Sequence, residues 1–280
     1  MTMLRRLRRI VPALAGLALL LSATSCEWPA GTRYVDKVFD TYTTTADVTY
    51  RTTTDFQGNT VDLKLDIYQP AGDTAAKRPA IMWMFGGGWV SGDKSMMTPV
   101  AQDAALLGYV GVSIQYRLRP GASGQSLIEA ILDAYQDSVA AVQWLKDHAA
   151  QYRIDPRAIV AGGYSAGAVN AMHLLYMPAA GESTVAGGVA IAGGSGAQPE
   201  AGDPPALMHH GDADQIASYA NAQALCNNAK AVHDVCQFIS YAGVDHFIYF
   251  TQQAAIEDST ATFVFEQVLW PLGYRVEHFD

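Results

Sequence analysis

The sequence has little cysteine, few charges and almost no long apolar runs. Three cysteines in 280 residues cannot build a disulfide-dense scaffold, and neither their spacing nor their neighbours suit a metal site. Charged residues make up only 16% of the chain, against a hydrophobic fraction of 50%; that balance excludes a disordered polyelectrolyte and allows a sizeable core. Basic residues are outnumbered, 18 Lys+Arg against 27 Asp+Glu, and four of the arginines fall within the first 25 positions. Without that segment the net charge drops from −9 to −13. So acidic a body repels phosphate backbones, which excludes nucleic acid as a partner. No repeat, low-complexity linker or compositional break divides the remainder, so one domain of mixed α/β type is expected.

The longest apolar run, Ile10 to Leu21, has 12 residues, short of the roughly 17 that a permanent membrane span requires. It follows Arg5, Arg6, Arg8 and Arg9 and leads into small residues that end at Cys26. That order of parts is a signal peptide over residues 1–25. Ala23-Thr-Ser-Cys26 resembles a bacterial lipobox, with Ala23 where leucine is commonest. The expectation is an exported protein that touches the membrane only through a lipid on Cys26, with plain secretion as the alternative. In an exported chain Cys226 and Cys236, ten positions apart, can close a small loop; two buried thiols are the other reading. Residues 27–50 read as a polar, threonine-rich segment, and residues 51–280 as the folded domain.

Val48 to Pro70 alternates as a β-hairpin around Asp55–Asn59. Short apolar runs then follow at Ala80–Phe85, Tyr109–Ile114, Ala158–Ala161, Gly188–Ala192, Ala206–Met208 and Gln237–Tyr241, as expected of strands buried on both faces of a parallel sheet. Helical patterns separate them. In the clearest, over Ser126–Gln151, Ile128, Ile131, Leu132, Tyr135, Val139, Val142 and Leu145 share one face. Gly193 to Pro205 is too short for an inserted cap, and the segment before Tyr50 is too short for a helical lid. An open, shallow site is expected.

Three motifs carry chemistry. Gly163-Tyr-Ser165-Ala-Gly167 lies between a predicted strand and a predicted helix, where small residues permit the sharp turn that lifts a serine hydroxyl above a sheet edge. Phe85-Gly86-Gly87-Gly88-Trp89 ends an earlier strand, and its free backbone N–H groups, with that of Ala166, suit a developing oxyanion. It lacks the Gly-Lys-Ser/Thr continuation of a phosphate loop. His210-Gly-Asp-Ala-Asp214 and Gly243-Val-Asp-His246 follow two later strands. Of seven histidines, His148 and His173 fall in predicted helices, His209 and His210 flank the acid's strand, His233 ends a helix and His278 is near the terminus. His246 alone lies on a post-strand loop downstream of the acid, where both Asp212 and Asp214 are candidates. Trp89 and Tyr164 flank these loops as candidate pocket walls.

On these residues the sequence resembles the α/β-hydrolases of the hormone-sensitive-lipase-like carboxylesterase group, over nearly all of residues 60 to 270. Gln115-Tyr-Arg-Leu118 and Asp155-Pro156 add to the likeness. It departs at Phe85, where that group usually has a histidine bracing the glycine loop. The resemblance implies a mostly parallel eight-stranded sheet with an N-terminal antiparallel hairpin and helices on both faces; the absence of a large cap, read from the short connections, departs from the family's fuller members. It selects Asp214 as the acid, four residues after the His-Gly histidine. It also implies hydrolysis of small-molecule or polymeric carboxylic esters by Ser165, His246 and Asp214, with Gly86, Gly87 and Ala166 at the oxyanion and no metal or organic cofactor. A serine peptidase on the same fold, or a non-catalytic binding protein, are the alternative readings.

Overall fold

A computed structural model describes residues 28–182 and 184–277. The proposed signal segment 1–25, the lipidation candidate Cys26 and His278 lie outside the described residues. Eight strands, β1 (Tyr42–Thr54), β2 (Thr60–Pro70), β3 (Arg78–Met84), β4 (Val110–Ile114), β5 (Ile154–Tyr164), β6 (Gly187–Ile191), β7 (Ala206–Gly211) and β8 (Cys236–Tyr241), form one sheet in the order β1-β2-β4-β3-β5-β6-β7-β8. The first hairpin is antiparallel, as is the β2–β4 pairing, and every later pairing is parallel. The central strands β3, β4 and β6 are buried along their whole length. Their continuous apolar sequences follow from that burial on both faces.

Among the described residues seven helices connect and cover the strands: α1 (Thr98–Leu106), α2 (Gln125–Asp147), α3 (Ala149–Tyr152), α4 (Ala166–Tyr176), α5 (Tyr219–Ala231), α6 (Ile248–Thr251) and α7 (Gln253–Phe263), the last running into a π-helical turn, Val264–Leu269. Helices α2, α4 and α5 pack on one face: Ser138 Oγ meets Met84 Sδ, Gly163 abuts Gly167, and Tyr219 meets Phe238 edge-on. Ile81 and Trp83 point to the other face, toward α1 and α7. The loop between β6 and β7 carries no helix.

Of the polar N-terminal segment expected over residues 27–50, the described residues 28–50 are part of the folded domain rather than a lead-in to it. β1 starts at Tyr42, and Thr32, Arg33 and Tyr34 are buried. Arg33 pairs with Asp73 at 2.6 Å, Asp73 also receives Arg78 Nε at 2.5 Å, and Tyr34 N donates to Leu107 O. These contacts lie at the N-terminal ends of the parallel strands. Trp28 packs there too, edge-on to Phe265 at 5.0 Å with its Nε1 on Glu266. Residues 28–39 therefore close the base of the sheet and leave its opposite edge uncovered by this segment.

Helix α2 departs from its expected stripe. Its buried residues are Ala130, Ala134, Asp137, Ser138, Ala141, Val142 and Leu145, whereas Ile128 and Leu132 are exposed. Small residues let α2 lie close to its neighbours. Asp137 is buried because Arg51 and the Arg117 side chain and backbone all bond its carboxylate.

Candidate active site

All three motifs end on the uncovered edge, past the C-terminal ends of β3, β5, β7 and β8. β5 runs directly into Ser165, and α4 starts one residue later. Ser165 has φ 54° and ψ −115°, a conformation that costs a side-chain-bearing residue on the order of 1–3 kcal/mol. Glycine on both sides makes the turn feasible. A Cβ on Gly163 would lie 2.2 Å from the Gly167 backbone, and one on Gly167 would lie 2.1 Å from Met84 O. The helix can thus fold back over the strand and present the serine at its N-terminus.

His246 follows β8, with Nε2 2.9 Å from Ser165 Oγ and Nδ1 2.7 Å from Asp214 Oδ2. An ionised carboxylate only accepts, so Nδ1 carries the proton and the Nε2 lone pair accepts from the serine hydroxyl. The Asp214 carboxylate is fully buried. Burial alone would raise its proton affinity, but His246 and the backbone N–H groups of Ala217 and Ile216 outweigh it and hold the group below the usual carboxylate range. Oδ1 accepts from Ile216 N at 2.8 Å and Ala217 N at 2.9 Å. Oδ2 accepts from His246 and also from His210 Nε2 at 3.0 Å. Asp212, the competing acid, spends Oδ1 on Gly243 N at 2.7 Å and joins the β7 and β8 loops instead.

The glycine loop lies beside the serine: a Cβ on Gly86 would meet the Tyr164 ring at 2.8 Å and Ser165 Cβ at 3.0 Å. Among the described residues nothing accepts from the backbone N–H of Gly86, Gly87 or Ala166. The Ala166 N–H opens α4, where the first donors of a helix have no partner within it. Gly87, Gly88 and Trp89 all have positive φ. Phe85, in place of a histidine, stacks on Tyr116 with ring centroids 4.2 Å apart, and the Tyr116 hydroxyl donates to Phe85 O at 2.8 Å. Two aromatic rings and one hydrogen bond thus brace the loop that a histidine braces in the resembled group.

Of the two candidate pocket walls, Tyr164 takes a different place. It is 4% exposed, its ring lies 5.4 Å from both His246 and Tyr249, and its hydroxyl donates to His246 O. The residue before the serine belongs to β5 and points into the fold, so Tyr164 backs His246. Burial raises its phenol to about 12. Trp89 is half-buried at the loop's end, with Nε1 donating to Asn170 Oδ1 at 3.1 Å. Asn170, fully buried on α4, is a further residue at the site that its helical position hides in the sequence.

None of the other described histidines makes a hydrogen bond to the serine. His148 stacks on Trp144, His173 sits on α4 beside Tyr135, and His233 is in a left-handed turn. His209 and His210 are buried within β7, not beside it. His209 meets the Tyr241 hydroxyl, and burial lowers it to about 3. Cys226 and Cys236 form a disulfide that joins α5 to β8. Among the described residues no group of three or more His, Cys, Asp or Glu side chains could hold a metal ion, and no helix is long and apolar enough to cross a membrane.

The BD-FAE family model matches residues 65–186, the stretch that contains the glycine loop and the serine turn. A medium-chain fatty acyl-CoA hydrolase precursor of Anas platyrhynchos is 33% identical over 149 residues, 52% of this chain and 26% of that protein. Carboxylesterase 5A of Ovis aries is 33% identical over 122 residues, 41% of this chain and 31% of that one. The chain thus matches about a quarter to a third of the length of these curated relatives. Among solved structures, esterase 2 of Thermogutta terrifontis aligns with a TM-score of 0.67 at 24% identity, covering 82% of this chain and 96% of that one. Sheet order and turn geometry are those of the α/β-hydrolase fold, and over part of its length the chain is similar to the BD-FAE family and to carboxylesterases and lipases.

Proposed function

We propose that the protein is a serine hydrolase that cleaves carboxylic esters through an acyl-enzyme intermediate. The observation that carries this reading is the chain of hydrogen bonds from Ser165 Oγ to His246 Nε2, 2.9 Å, and from His246 Nδ1 to Asp214 Oδ2, 2.7 Å. Ser165 Oγ attacks the ester carbonyl while His246 Nε2 takes its proton. The tetrahedral oxyanion accepts hydrogen bonds from Ala166 N–H and from the Gly86 and Gly87 backbone. Its collapse breaks the C–O bond, and His246 hands the proton to the departing alkoxide. Water then attacks the acyl-serine, losing a proton to His246, and carboxylate leaves as Ser165 recovers its hydrogen. Asp214 stays ionised throughout, holding the imidazole in one tautomer and stabilising the imidazolium. Each oxyanion donor lowers the barrier by roughly 3–4 kcal/mol.

The carboxylesterases among the relatives support this choice of substrate over an amide. The Cys226–Cys236 disulfide supports export to an oxidising compartment, with Cys26 as the lipid attachment. Hydrolysis of p-nitrophenyl esters from acetate to palmitate tests the reading. Ser165→Ala is expected to reduce kcat by up to about 10⁶. Esterase 2 of Thermogutta terrifontis is phosphorylated by paraoxon in one structure, and the same reagent should label Ser165 here. Unlabelled Ser165, or undiminished turnover by the alanine variant, would overturn the assignment.

A further inference from the structure

His210 lies on the same sheet face as α5, and its side chain is 1% exposed. Its Nε2 stands 3.0 Å from Asp214 Oδ2 and 3.2 Å from Ala217 O. Both neighbours are acceptors, so Nε2 must carry the proton and share it between them. Nδ1 has no hydrogen-bond partner among the described residues. Protonating it would bury a second N–H with nothing to receive it, which keeps the ring neutral. The charged and titratable groups around the ring are Asp214, His246 and, from α5, Tyr219, edge-on at 5.7 Å. Burial outweighs the carboxylate and lowers the ring's proton affinity.

Resting on the serine-hydrolase reading, we propose that His210 is a positioning residue for the reaction: a neutral, single-tautomer donor that fixes the Asp214 carboxylate for His246 and ties it to the Ala217 carbonyl. The geometry gives Asp214 four donors: two backbone N–H groups on Oδ1 and one N–H from each of two imidazoles on Oδ2. A cationic donor in place of His210 would partly neutralise the carboxylate and weaken its hold on the imidazolium. A neutral donor orients it and draws off less of its charge. The charged and titratable groups that face His246 are Asp214, His210, Ser165 and the Tyr164 ring, with Asp245 next in the chain turned to Phe247 N.

The test compares His210→Phe, which fills the ring's volume without a donor, with His210→Gln, whose amide N–H reaches about the same point as Nε2. For Phe, kcat should fall about tenfold with KM within about twofold, the order expected for one hydrogen bond to a charged group. The acid limb of its kcat/KM profile should move to higher pH by several tenths of a unit, because a carboxylate with one donor fewer attracts the imidazolium more strongly. Gln should restore both. Equal losses in the two variants, or a fixed acid limb with a changed KM, would make His210 merely structural. If Phe does not fold, His210→Asn, too short to reach Asp214, takes its place. A readout without turnover separates this proposal from the esterase reading. The low-field proton resonance of His246 Nδ1 should shift in the Phe or Asn variant and not in Gln. If the parent hydrolyses no ester, the esterase reading fails and that resonance still decides the role of His210.

Discussion

At the scale of single residues, the glycine loop is held at its far end by a side-chain hydrogen bond, from Trp89 Nε1 to Asn170 Oδ1. Trp89→Phe keeps the ring but leaves that buried acceptor without a donor, at about 1–3 kcal/mol. The expected outcome is kcat/KM about tenfold lower on p-nitrophenyl acetate; unchanged kinetics would mean that the backbone alone, including Arg119 N on Trp89 O, sets the loop. Ser165, His246 and the two aspartates were legible in the sequence because each sits on a loop that follows a readable strand. His210 was not. Adjacent strand residues point to opposite faces, so His209 and His210 must part, and which of them meets Asp214 depends on a register that no local pattern reveals. Tyr164 escaped for the same reason: the residue before a nucleophile reads as a neighbour of the site, while its parity in β5 sends the ring behind His246.

At the scale of elements, the disulfide fastens α5 to β8, the two elements whose flanking loops carry Asp214 and His246. Replacing both cysteines with alanine should lower unfolding stability by about 2–3 kcal/mol, read from urea melts, through the freedom returned to a short loop in the unfolded chain. Strand positions in the sheet's centre followed from apolar runs, whereas ends and edges did not. β5 extends from Ile154 to Tyr164, beyond its apolar Ala158–Ala161 run. Pairing of Ile81 to Met84 with Val160 to Gly163 imposes extended backbone on glycines of low β propensity. β1 starts at Tyr42 because an edge strand exposed along most of its length has no buried face to impose alternation. In α2 the large apolar side chains at Ile128 and Leu132 dominate the helical pattern, yet alanines face the core. Close helix packing selects for small size, which a hydrophobicity reading undervalues.

For the molecule as a whole, a cavity of about 250 Å³ between α1, α7 and residues 35–37 has Ile81 and Trp83 at its floor and Glu257 on its wall. Burial, aided by the neighbouring Asp103 carboxyl, raises Glu257 to about 7. A carboxyl raised in this way binds its proton more tightly in the fold than in the unfolded chain. Its contribution is therefore complete below the ordinary glutamate range and is lost as pH rises through about 7. Glu257→Gln should accordingly melt at a higher Tm than the parent at pH 8, with the gap closing at pH 4. A constant gap would locate the effect in packing instead. The closed base of the sheet bears on something else. Trp28 packs at the base, against Phe265 and Trp270, and Ser165 follows the far end of β5, an 11-residue strand about 30 Å long at about 3.3 Å per residue. We propose that a molecule held by the residues before Trp28 turns its base toward whatever holds it and Ser165 away from it. It meets what diffuses in from the surrounding liquid, and the surface that holds it stays out of reach.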